Sequence, residues 1–223
     1  MSEQTQSLTN MNPLIEQVQN ELRASFAQQN QTAKKGQIVF VGSSLMEIFP
    51  IEKMQEGLGL DKLIYNRGVR ATTTADLLKH MDLCIFDLAP SKVFINIGTN
   101  DIGFNIPEST FLANYDEILR QIKERLPEAQ VFVMAYYPVN SVADFGEAEV
   151  EHESLFATRN NEIFKSASNK VAQLAQKYHF EFINVNAGLA DADGNLRQEL
   201  TFDGAHMLPS GYEIVLRNMK KYL

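Results

Sequence analysis

With 223 residues the chain has room for one large domain or two small ones, and it can bury a full core without metals or disulfides. Apolar residues make up 44% and charged residues 22%, which excludes the disordered, collagen-like and coiled-coil classes. The 28 acidic and 20 basic side chains give a formal charge of −8, which argues against nucleic acid as a partner, and the single Cys84 excludes a disulfide framework or a multi-cysteine metal site.

The N-terminal MSEQTQSLTNMNP has no basic segment leading into an apolar one, so it does not read as a secretory signal. From Pro13, Leu14, Val18, Leu22 and Phe26 recur every four residues and predict a helix. Its apolar stripe must pack on the sheet's flank or on a second subunit, so a homodimer is one expectation. Five short apolar runs follow: Gln37–Gly42, Lys62–Asn66, Lys92–Ile97, Gln130–Tyr137 and Phe180–Val185. Apolar on consecutive positions and rich in β-branched or aromatic residues, they read as strands of a parallel sheet buried on both faces.

Helical patterns separate the runs. Leu77 to Phe86 is one, and Cys84 within it reads as a buried small hydrophobe. Phe111, Tyr115, Ile118, Leu119 and Ile122 mark a helix before Pro127. Phe156, Ile163, Phe164, Val171 and Leu174 mark a long helix, and Tyr212, Val215, Leu216 and Met219 the last one. Asp144 to Glu153, with five acids and no Lys or Arg, reads as a solvated loop and the first turn of the long helix. The longest apolar run, Val131 to Val139, is nine residues with a proline near its end, against the roughly 20 that a bilayer span needs. The expectation is a cytoplasmic protein without stable membrane insertion. The alternation predicts one three-layer α/β/α domain over residues 1–223, with 1–36 as an N-terminal helical extension and a five-stranded parallel sheet. Five such strands fit the flavodoxin-like order 2-1-3-4-5.

In open α/β sheets ligands bind beyond the carboxyl ends of the strands. There the sequence places Gly42-Ser43-Ser44-Leu45, Asn66-Arg67-Gly68, Gly98-Thr99-Asn100-Asp101 and, just before the last helix, Asp203-Gly204-Ala205-His206. Singly each has a bland explanation as a turn, a helix cap or an ordinary histidine. Together they are what ester hydrolysis needs. A serine hydroxyl attacks once an imidazole takes its proton, a carboxylate orients the imidazole, and fixed N–H donors meet the oxyanion. Asp203 and His206 would also suit two ligands of a metal, but no third lies nearby in sequence. No P-loop or GxGxxG pattern follows a strand, so no cofactor is expected.

These four segments resemble, in order, blocks of the SGNH or GDSL-like hydrolase family, and within it bacterial proteins similar to platelet-activating-factor acetylhydrolase. The resemblance covers roughly Ile38 to Tyr222. It implies Ser44 as nucleophile, His206 as general base and acid, and Asp203 as its orienter. The Ser44 N–H, the Gly68 N–H and the Asn100 amide would form the oxyanion hole. Two positions depart from the family pattern. Ser43 stands where it has aspartate, and Arg70-Ala71 stands where many relatives have a small residue and glycine. Arg70 is therefore a candidate to bind substrate, or else to pair with an acid. The expected function is a serine esterase or acylhydrolase acting on a small-molecule ester of a short acyl group such as acetyl. The rival expectation is a non-catalytic α/β protein that binds an acyl or sugar ligand.

Overall fold

The structure, a computed structural model, describes residues 12–146 and 149–223, the side chains of 149–151 excepted. Nearly all of the N-terminal segment read for targeting, and Glu147 and Ala148 of the acidic stretch, lie outside the described residues. In chain order the elements are α1 (Pro13–Thr32), β1 (Ile38–Gly42), α2 (Ser44–Glu47), α3 (Ile51–Met54), β2 (Ile64–Gly68), α4 (Thr74–Lys79), α5 (Met81–Cys84) and β3 (Lys92–Asn96). Then come α6 (Thr99–Gly103), α7 (Glu108–Arg125), β4 (Gln130–Met134), α8 (Glu149–Phe156), α9 (Asn161–Lys177), β5 (Glu181–Ile183) and α10 (Pro209–Met219).

All strand pairs are parallel, in the order β2-β1-β3-β4-β5. Because side chains alternate across a strand, each strand feeds two cores. Val39, Val41, Val93, Ile95, Val131 and Val133 meet the buried residues of α4, α5, α7 and α9 on one face. Ile38, Phe40, Phe94 and Phe132 meet those of α2, α3 and α10 on the other. The second face is a run of aromatics. Phe94 stacks on Phe132 at 4.6 Å and lies 5.0 Å from Phe40, and Phe49 stacks on Tyr212 at 4.6 Å. Full burial of each such ring is worth about 1.5–3 kcal/mol, which is ample reason for strands of this composition to sit centrally. The expected three-layer α/β/α architecture and strand order are the ones observed.

Several elements differ from expectation, among them the helix read over Leu77–Phe86, which divides at His80 into α4 and α5. Strand two runs from Ile64 to Gly68, two residues later than its apolar run. The polar Asn66 and Arg67 can extend it because their heads are bonded. Arg67 is 1% exposed, donates to the Asn66 carbonyl and to Asn30 Oδ1, and lies 4.5 Å over the Phe26 ring. The long helix before strand five is two helices. Asn160 caps α9 by accepting from the Ile163 N–H at 2.8 Å, so the helix begins there, and Phe156 closes α8 instead. Finally, α1 buries Gln19, Phe26 and Asn30 rather than the Leu14–Val18–Leu22 stripe, and Leu14 is 68% exposed. Among the described residues no helix is long and apolar enough to cross a membrane.

Candidate active site

The central strand β1 ends at Gly42, paired with both Gly68 of β2 and Asn96 of β3. Ser43 is extended and serves as N-cap residue, and Ser44 opens the short helix α2. The chain thus turns sharply off the sheet edge, and Ser44 stands at that turn. The first N–H groups of a helix have no partner within it, so the Ser44 N–H is directed outward.

The opposing wall is the loop before α10. Asp203 Oδ1 accepts from the N–H groups of Ala205 at 2.9 Å and His206 at 2.7 Å, which folds the Asp-x-x-His segment into a turn. Thr201 Oγ1 closes the turn from outside, accepting from the Gly204 N–H and donating to the His206 carbonyl. Asp203 Oδ2 is then left to accept from His206 Nδ1 at 2.6 Å, and His206 Nε2 lies 2.9 Å from Ser44 Oγ. With Nδ1 protonated toward the carboxylate, Nε2 carries the lone pair that accepts the serine proton. Burial pushes the Asp203 carboxyl up, but the bonds and charge of His206 and the two backbone donors outweigh it, and the carboxyl stays below the usual aspartate range. The exposed Phe202 ring stacks nearly parallel on the His206 ring at 5.8 Å.

Between these walls runs the loop from Gly68 to Thr74. Asn100, on α6, donates its amide to the Thr72 carbonyl at 3.0 Å. Its neighbour Asp101 is buried and accepts from the Thr74 N–H at 2.9 Å and from Thr74 Oγ1. Burial pushes the Asp101 carboxyl up to about 6, against the downward pull of the Thr74 bonds. The Arg70 N–H and guanidinium bond Glu47, three residues after Ser44. Arg70 therefore pairs with an acid and ties the loop to the nucleophile's helix.

Gly68 does not present its N–H to this space. Successive N–H groups along a strand point to opposite sides, and the Val69 N–H already donates to the Gly42 carbonyl on β1. The Gly68 N–H consequently faces the outer edge of β2, where Asn66 Oδ1 accepts it at 2.9 Å. The need for glycine is steric: a Cβ there would lie 2.1 Å from the Glu47 nitrogen. Ala71 is better placed. Residue 70 is tied to α2 and residue 72 to Asn100, so residue 71 lies between nucleophile and amide. Ala71 adopts a left-handed backbone (φ 55°), the conformation that glycine in its place would adopt without strain, and its N–H has no partner among the described residues.

A family model for the GDSL-like lipase/acylhydrolase family matches residues 52–214, well over half of the chain. The chain belongs to the GDSL-like lipase/acylhydrolase family. The matched span holds Asn100, Asp203 and His206 and begins after Ser44. Among solved structures, a Streptococcus pneumonia protein described provisionally as a platelet activating factor is 29% identical over 98% of both chains, with a TM-score of 0.82. A GDSL-like lipase of Bacteroides thetaiotaomicron is 20% identical over 90% of this chain and 96% of its own, with a TM-score of 0.71. A catalytic mutant of an acetylxylan esterase from Geobacillus stearothermophilus is 13% identical over 85% and 94%, with a TM-score of 0.64. The last two likenesses are of fold. Among curated protein sequences nothing matches.

This GDSL-like protein is thus a carboxylic ester hydrolase. Its structure brings Ser44, Asp203, His206 and Asn100 to one edge of the sheet, and turns the Gly68 N–H away. Sequence reasoning passed over three residues that shape this edge of the sheet. Ala71 was visible only as a departure from the family pattern, Asp101 only as the letter beside Asn100, and Glu47 not at all. Cys84 is buried, and burial pushes its thiol up to about 12, which makes it inert as a nucleophile. No three His, Cys, Asp or Glu gather at metal-binding distance among the described residues.

Proposed function

We propose that the protein is a serine acylhydrolase of short acyl esters, preferring acetyl, that works through an acyl-enzyme on Ser44. The observation that carries this reading is the unbroken relay from Ser44 through His206 to Asp203, at 2.9 and 2.6 Å. His206 Nε2 takes the Ser44 proton as Oγ bonds to the ester carbonyl carbon. The oxyanion is met by the Ser44 N–H, the Asn100 amide and the Ala71 N–H, the last in the place expected for Gly68. His206 then gives its proton to the alcohol oxygen as the ester C–O bond breaks, and the acyl group stays on Ser44. A water repeats the sequence: its proton goes to Nε2, its oxygen attacks the acyl carbon, and Ser44 leaves as the alcohol with the acid released. Asp203 remains ionised throughout and offsets the imidazolium charge.

The resemblance to the acetylhydrolase branch and the acetylxylan esterase among the fold neighbours support a short acyl chain. The test is a panel of p-nitrophenyl esters from acetate to octanoate on the wild type and Ser44→Ala. The wild type is expected to be fastest on acetate, and Ser44→Ala to lose several orders of magnitude in kcat with its fold intact. A Ser44→Ala protein as fast as wild type removes the nucleophile assignment, and a maximum at octanoate removes the substrate class.

A further inference from the structure

We propose that Gln19, on α1 and far from Ser44 in sequence, is a positioning residue for ester hydrolysis. It holds the Arg70–Ala71 peptide so that the Ala71 N–H faces the oxyanion. This rests on the Ser44 acyl-enzyme reading and extends it to the N-terminal helix.

Gln19 is 4% exposed on a helix whose other outward positions are mostly solvated. A buried amide needs a partner. Gln19 Nε2 has one, the Arg70 carbonyl at 2.6 Å. That carbonyl belongs to the peptide whose N–H is Ala71's. In a trans peptide the C=O and N–H point in opposite directions, and no cis bond occurs among the described residues. Fixing the carbonyl toward α1 therefore fixes the N–H toward the space between Ser44 and Asn100. The bond also polarises the peptide, since an amide whose oxygen accepts a hydrogen bond donates more strongly through its nitrogen.

The placement of Gln19 is itself built. Asn30 donates to the Leu83 carbonyl at 2.8 Å and accepts from the buried Arg67, and Arg23 pairs with Asp76 on α4. These ties set the height and rotation of α1 against the sheet edge. They explain why its buried face is half polar: it docks on backbone carbonyls and a guanidinium. Ala71 needs such support, because a non-glycine residue in the left-handed region persists only where its surroundings hold it. The preceding peptide is held separately, since Glu47 accepts from the Arg70 N–H and its guanidinium.

The experiment compares Gln19→Leu and Gln19→Met, which keep the volume and remove the donor, with wild type, Ser44→Ala and the exposed-face control Gln28→Leu. Active sites are counted by endpoint labelling with a fluorophosphonate. The expected result for both Gln19 variants is a fall of about tenfold or more in kcat per labelled site, with KM within about twofold. This is smaller than the roughly 10²–10³ of losing an oxyanion donor outright. The rate of phosphonylation, whose transition state uses the same donors, falls in step. Gln28→Leu stays at wild type. Unchanged kcat per site in both Gln19 variants, or a loss that falls wholly on KM, overturns the inference while leaving the Ser44 reading intact. Full activity in Ser44→Ala overturns the reading beneath it.

Discussion

Asn100 and Gly68 are one bond apart in role and far apart in orientation. Both belong to segments that end strands, and both residue types recur where an oxyanion is held. Asn100 reaches this edge because α6 turns its amide onto the Thr72 carbonyl, and in the proposed reaction the second amide hydrogen meets the oxyanion. Gly68 does not, because the alternation of N–H directions along β2 sends its donor to the sheet's outer edge. Residue types and order are written in a sequence, whereas the side to which a given N–H points depends on strand register. That is why the convergence of Ser44, Asp203, His206 and Asn100 on one edge of the sheet was legible and the direction of the Gly68 N–H was not. Ala71 and Gln19 were illegible for a related reason, since Ala71 offers only a backbone N–H and the Gln19 side chain bonds a backbone carbonyl 51 residues away. Asn100→Ala is expected to lower kcat on p-nitrophenyl acetate by about 10²–10³ with little change in KM. A rate within threefold of wild type would take Asn100 out of the oxyanion hole.

Periodicity identified the strands and most helices, because their apolar faces are set by burial alone. It failed where polar contacts decide. The rotation of α1 follows Gln19 and Asn30, and the end of β2 follows Arg67, whose charge is met by an amide, a carbonyl and aromatic faces. The junction of α6 with α4 is likewise polar, through Asp101 and Thr74. Burial pushes the Asp101 carboxyl up to about 6 in the folded chain, above the ordinary aspartate value of 3.8. The folded state therefore holds this proton more tightly than the unfolded state does. Stability from this group is full below the ordinary value and is lost as pH rises through about 6. Asp101→Asn removes the titration and keeps one acceptor. The melting temperature of wild type relative to this variant is expected to fall between pH 4 and 6 and to level off above. A difference that stays constant across that range would contradict the burial assigned to Asp101.

For the whole molecule, the order β2-β1-β3-β4-β5 puts β1 between β2 and β3, so the turn after β1 is flanked by the ends of both. The loop after β2 and helix α6 after β3 close on Ser44 from either side, and the approach to α10 brings Asp203 and His206 across the sheet's edge. The N-terminal helix, an appendage in the sequence reading, is tied into this arrangement through the Arg70 carbonyl in the loop after β2. Substrate choice depends on side chains around the site whose partners are ester atoms, and for that reason it is the least legible part of the chain. The proposed reaction depends above all on Ser44 being the activated nucleophile. Intact-mass and peptide-mapping mass spectrometry after treatment with a fluorophosphonate tests it most directly. One stoichiometric adduct is expected, on the peptide carrying Ser44, lost in Ser44→Ala and sharply slowed in His206→Ala. Absence of an adduct from the folded wild type, or an adduct on another serine, would contradict it.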